Sequence, residues 1–326
     1  MDLFQQQASN RRRTWLVMAI FVAFLFLLGY GFDVFYLRTR MPIAGLVALA
    51  GASIGAYASY LKGDKAVLAS AGAVPIAELQ GPSAPEGDRL KYRQLENVVE
   101  EMAIASGLPR PAVFVVPDPD PNAFATGRDP GHASIAVTKG LLDSLNREEL
   151  QAVVAHELSH VRNFDIRLMT VVAALVGAVV LLSDFTRRWL FWGGGGRKGR
   201  GSRGKGGGAA GAVLFVLWIL AVILAPIIGQ LLAMMVSRRR EYLADASAAE
   251  LTRNPLALAS ALHTIEFAAG PTKSIKRGTA NLCIADPLGR EAGKREGRLA
   301  DLLASHPPMV KRISALREMA YQTGRE

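Results

Sequence analysis

An α+β domain carried on about four membrane-spanning helices is the fold class that this sequence predicts. Three observations point to it. The apolar residues are bunched into long uncharged runs, the polar blocks between them read as short strands followed by helices, and one such helix carries two histidines around a glutamate.

The runs come first. No charge falls between Trp15 and Tyr30, and the apolar character continues past Asp33 to Leu37. Met41–Leu61, Leu168–Ser183 and Ala209–Val236 are likewise uncharged. A helix crosses a bilayer with about 20 apolar residues. The second and fourth runs reach that length, and the first reaches it if Asp33 sits near an interface. The third is shorter, cut off by Asp184, Arg187 and Arg188. Arg11, Arg12 and Arg13 ahead of the first run would suit a cleaved leader. The run exceeds the roughly 7–15 apolar residues of such segments, and a second run follows at once, so a retained helical hairpin at 15–61 is the better reading. A second hairpin spans 166–236, with a Gly/Arg-rich loop at 193–208.

Two polar blocks remain, 62–165 and 237–326, beside a short tail, 1–14. If 166–236 is a hairpin, both blocks emerge on one side of the membrane and can form one unit. Leu90–Ser106 reads as a helix with an apolar stripe at Leu95, Val98, Val99, Met102 and Ala103, ended by Pro109 and Pro111. Ala112–Val116, Asn122–Thr126 and Ala133–Val137 read as strands, separated by turn-rich sequence. Asn146 followed by Glu149 is the spacing of a capping box and starts a helix running past His160. The second block reads as mostly helical, apart from an irregular, basic stretch at 270–298.

That capped helix carries His156-Glu157-Leu158-Ser159-His160, an H-E-x-x-H motif. Residues four apart share a helix face, so both imidazoles can reach one metal ion, and Glu157 beside them can act as general base toward an attacking water. A catalytic zinc takes three protein ligands and keeps a position open. His132, His263, His306 and the acidic residues are candidates for the third. Glu241 is the strongest, because it shares a helix face with Asp245, which could orient a ligand histidine through its other ring nitrogen. The alternative leaves both as solvated acids balancing Arg238, Arg239 and Arg240.

At these residues the chain resembles the HtpX family of membrane zinc endopeptidases. The likeness is carried by Asn146–Ala155 leading into the H-E-L-S-H motif, then Val161–Asp165. Asn122-Ala123-Phe124-Ala125-Thr126-Gly127, Glu241–Asp245 and Ser305-His306-Pro307-Pro308 extend it. It covers Trp15 to Leu316, with the apolar runs in the family's places. The resemblance implies a zincin-type catalytic domain, one Zn2+ per chain on His156, His160 and Glu241, and Asp245 and Asp165 supporting them. It implies that Asn122, Phe124 and their neighbours form an edge strand receiving substrate. It places His306 near the zinc, as a transition-state donor or an inhibitory fourth ligand. It also implies cleavage of misfolded or damaged membrane proteins under stress, in a bacterial inner membrane, with tail 1–14 and the active site in the cytoplasm.

The net charge of +10 raises the question of nucleic acid. No aromatic interleaves the basic residues of 193–208, so a loop touching anionic lipid headgroups is the simpler account, and no nucleic-acid partner is expected. Charges flanking the apolar runs are nearly balanced, ten against nine, and leave orientation undecided. A single cysteine, Cys283, excludes a disulfide framework and a cysteine zinc cluster. Three rival readings fit the sequence less well. A protease trimming lipid-modified peptides needs more membrane helices, a silent client-binding scaffold has no need of Glu157, and a transporter would carry charges inside its runs.

Overall fold

The computed structural model describes residues 3–35, 37, 39–81, 85–173, 175, 238–268, 272–275, 282–285 and 307–322. The chain starts as a helical hairpin, α1 (Leu3–Phe35) and α2 (Ile43–Ser70). Gly29 permits its closeness, since a Cβ there would lie 2.7 Å from the carbonyl oxygen of Ala44. Asp33, fully buried, turns inward and accepts hydrogen bonds from the backbone N–H groups of Ala44 and Gly45, both at 2.9 Å. It thereby satisfies the first turn of α2, whose N-cap is a proline without a side-chain cap.

Outside that seam the hairpin is apolar and exposed. Trp15, Leu16, Leu27, Val47, Ile54 and Tyr57 all face outward. Asn10–Phe35 and Ile43–Ser70 are both long and apolar enough to cross a membrane, with mean hydropathies of 2.3 and 1.5. A hairpin of a soluble core would bury these side chains, whereas lipid accepts them. From Leu3 the segment 1–14 is already part of α1, and Asn10 and Thr14 are buried. Of the third apolar run, 168–173 is helical, and Val171 and Leu175 pack with Met18, Phe21, Ala52 and Ala56 of the hairpin. The rest of that run, the fourth run and the loop 193–208 lie outside the described residues.

The polar blocks build a four-stranded mixed sheet, ordered β1 (Val74–Pro75), β2 (Ala112–Val116), β4 (Ala133–Thr138), β3 (Ala123–Gly127). β2 and β4 run parallel, and β1 and β3 are antiparallel to their neighbours. A short α3 (Ile76–Leu79) and then α4 (Glu86–Ser106) precede β2. α4 does not wait for the prolines to end: Gly107 takes φ +68° and its N–H bonds back to Ala103 and Ile104, a left-handed cap open to a glycine. After β4 come α5 (Lys139–Ser144) and α6 (Arg147–Arg162). The capping box forms as its spacing implies, with Asn146 accepting from the Glu149 N–H and Glu149 from the Asn146 N–H. α7 (Arg238–Thr252), α8 (Pro255–Glu266) and α9 (Met309–Gln322) complete the described helices. One core unites α4, α6, α8, α9 and the inner side chains of the sheet, so α6 lies buried between helices and strands.

Candidate metal centre

α6 is covered on nearly every side, and its motif is buried with it: His156 is 0 %, Glu157 1 % and His160 3 % exposed. α7 crosses it and presents Glu241 and Asp245 one turn apart, both buried rather than solvated beside the arginines. The carboxylate of Glu241 lies between the two imidazoles. Its Oε2 is 3.7 Å from His156 Nε2 and its Oε1 3.7 Å from His160 Nε2. One donor atom from each of His156, His160 and Glu241 falls within 4.8 Å of the others, spacing that suits a single ion.

The second nitrogen of each ring faces an aspartate. His156 Nδ1 lies 3.0 Å from Asp245 Oδ1, and His160 Nδ1 lies 3.1 Å from Asp165 Oδ2. At His160 the carboxylate on Nδ1 holds the proton there, which turns the Nε2 lone pair toward the shared point; at His156 the aspartate is close but less well aligned, and Arg312 Nη2 lies 3.5 Å from Nε2. The donor set, two imidazoles and a carboxylate, fits the nitrogen and oxygen preferences of zinc. Neither oxygen of the buried Glu157 carboxylate receives a well-aligned hydrogen bond among the described residues, the Ala125 N–H alone being turned toward it. Such a group is costly unless water, substrate or a cation completes it.

Burial pushes the Glu157 carboxyl up to about 7, with the Glu241 charge adding to it and the His160 charge opposing it. Burial lowers His156, despite Asp245. Burial also works against the charged form of His160, but Asp165, Glu241 and Glu157 outweigh it and push that imidazole up to about 9 in the metal-free protein.

One participant escaped the sequence reading. Arg312 of α9 is fully buried, and its Nε and Nη2 donate to the two oxygens of Asp245 at 2.8 and 2.7 Å. Nη1 donates to the Ile284 carbonyl at 2.9 Å and lies 3.5 Å from Glu241 Oε2. Burial works against its charge, and the Asp245 carboxylate more than offsets that. The available signal was its register: Arg312 falls on the stripe Met309, Ile313, Leu316, where an amphipathic helix calls for an apolar residue.

Asn122 and Phe124 stand differently from the expectation. Asn122 is buried, and its amide donates to Thr272 Oγ1 and to the Ala285 carbonyl, both at 3.2 Å. The outer edge of β3 at this end is taken by the chain itself: Phe124 bridges Cys283, and the Ile284 N–H donates to the Ala123 carbonyl at 2.9 Å. Ala125 is the next residue whose backbone groups turn outward, and its N–H faces the Glu157 carboxyl. His132 and His263 stand apart from the centre, the first bonded to Asp129 and Arg128, the second against Phe267. His306 lies outside the described residues.

Residues 89–320 match the family model described as Peptidase family M48. Two relatives, each described as "Protease HtpX homolog", align over nearly the whole chain. That of Caldanaerobacter subterraneus subsp. tengcongensis is 41 % identical over 318 residues, 97 % of this chain and 98 % of its own. That of Lactobacillus helveticus is 40 % identical over 318 residues, 97 % of this chain and 100 % of its own. A crystal structure of S. mikatae Ste24p aligns with a TM-score of 0.46 and 19 % identity, over 96 % of this chain and 66 % of that one.

Proposed function

The chain belongs to peptidase family M48, as an HtpX-like, membrane-associated metallopeptidase, and from that premise we propose how its centre works and on what. The metal is one Zn2+ per chain, held by His156, His160 and Glu241. The observation that carries this is the convergence of those donors within 4.8 Å, each imidazole backed by an aspartate.

When bound, zinc supplies a Lewis acid that polarises the scissile carbonyl and acidifies the attacking water. Glu157 is the group placed to take that water's proton and return it to the leaving amine. Asp245 and Asp165 keep the imidazoles turned, and Arg312 holds Asp245. An extended substrate pairs with β3 at Ala125, whose outward backbone groups lie beside Glu157, rather than at Asn122 and Phe124; the next outward N–H, that of Gly127, is already given to Thr170 Oγ1. His306 stays a candidate transition-state donor.

The substrates are misfolded or damaged membrane proteins and unfolded polypeptides, cut as part of protein quality control under stress. The site faces the cytoplasm from the bacterial inner membrane, and loop 193–208 touches anionic headgroups. The test is add-back. Detergent-purified, metal-free protein should cleave casein or itself only after zinc is supplied, and cleavage at full rate without zinc would overturn the reading.

A further inference from the structure

The chain leaves α6 through a turn, 163–165, that swings Asp165 back onto His160. This turn is not relaxed. Phe164 has φ +57°, a left-handed conformation that bulky L residues adopt only when their surroundings hold them there. Two guanidinium groups lie against its ring, that of Arg11 at 4.8 Å from the centroid and that of Arg167 at 5.1 Å.

The other half of the clamp also comes from the start of the chain. Asn10, the first residue of the apolar span of α1, is 2 % exposed. Its Nδ2 donates to the Asn163 carbonyl at 2.9 Å and to Asp165 Oδ1 at 2.6 Å, which uses both of its hydrogens on the two ends of the turn. Thr14, one turn further on, is buried with it and donates to the Asn10 carbonyl. The oxygens of Asp165 are thus divided, Oδ1 toward Asn10 and Oδ2 toward His160. Arg240 lies at the longer distance of 3.6 Å from Oδ1. A neutral amide suits this place: it fixes the carboxylate through directed hydrogen bonds without adding another cation.

We propose that Asn10 is a positioning residue of the metal centre. Acting through Asp165 and the 163–165 turn, it fixes the ring of His160, and so makes the N-terminal end of the first membrane helix part of the site. The sequence separation between Asn10 and Asp165 is 155 residues, which hides the contact from any local motif. The proposal rests on His160 being a zinc ligand.

The test uses the full chain in detergent, with zinc affinity read by chelator competition and thermal stability read on the metal-free form. Asn10→Ala should weaken zinc binding by about 10–100-fold, as loss of a group supporting a ligand does. Asn10→Asp, which sets two carboxylates against each other, should weaken it at least as much, and so should Asp165→Asn. Combining Asn10→Asp with Asp165→Asn exchanges the partners: the amide at 165 donates to the carboxylate at 10 and its oxygen accepts from His160. The double exchange should bind zinc more tightly than either of its single variants. A contact that merely docks α1 would lower stability without changing zinc affinity, or give losses that the exchange does not recover, and either result overturns the proposal. If Asn10→Ala does not fold, the comparison of Asn10→Asp with the double exchange decides. Failure of the native protein to bind zinc would overturn the reading of the site instead.

Discussion

His160 and Glu157 hold protons that the same residues in an unfolded chain would release at lower pH. Their folded values are about 9 and about 7, against ordinary values of 6.5 and 4.5. Wherever the folded state binds more protons than the unfolded one, stability falls as pH rises. The Glu157 contribution is lost between 4.5 and about 7, that of His160 between 6.5 and about 9. His156 is shifted the other way, but its effect is confined to pH values below about 6.5. Above neutrality His160 governs. Denaturant unfolding of the metal-free protein should therefore show stability declining from pH 7 to 9.5. A flat or rising profile would contradict the contact of His160 with Asp165 and Glu241. The clustered histidines, Glu157 and the Glu241–Asp245 pair were legible as residues because local spacing brings each set onto one helix face. Arg312 and Asn10 were not, since each acts across a tertiary contact, on Asp245 and Asp165 respectively.

At the scale of elements, the capping box named the start of α6 correctly because its reciprocal hydrogen bonds are local. Three of the four strands were found to within a residue, their β-branched and alanine-rich runs lying between turn residues, while the two-residue β1, too short to show a period, was missed. The end of α4 at Ser106 was placed correctly, but Gly107 rather than the prolines terminates it, and the helix begins at Glu86, before Leu90. The free edge of β3 was misjudged more instructively: Cys283 and Ile284 pair with it from 160 residues away in the chain, and no periodicity announces that. The hairpin was legible from its runs, and the structure adds that the N-terminal end of α1 and the C-terminal end of α2 both meet the catalytic block. Asn10 touches Asp165, and Val67, Leu68 and Ala71 pack with Val116 and Phe124. Met41, 69 % exposed at the hairpin apex, must then lie across the membrane from Ile104, 74 % exposed on α4. Cys283 is buried, so replacing it with serine removes a silent thiol rather than a reporter. In that background, an impermeant thiol reagent should label Met41→Cys in intact cells and Ile104→Cys only after the membrane is opened. Labelling of both from one side would show that the hairpin does not span.

The molecule as a whole assembles one centre from four distant parts of the chain. α6 gives His156, Glu157 and His160, α7 gives Glu241 and Asp245, α9 gives Arg312, and the start of α1 gives Asn10. Catalytic domain and membrane hairpin are therefore not a head on a tether; the hairpin's first helix reaches the carboxylate behind His160. The central claim is that His156, His160 and Glu241 hold zinc while Glu157 does the proton transfer. Zinc content and proteolysis, measured together on three purified proteins, test it most directly. The native chain and Glu157→Gln should each hold one zinc, with proteolysis in Glu157→Gln reduced by several orders of magnitude, and Glu241→Ala should lose both. Near-native turnover in Glu157→Gln, or tight stoichiometric zinc in Glu241→Ala, would contradict the account.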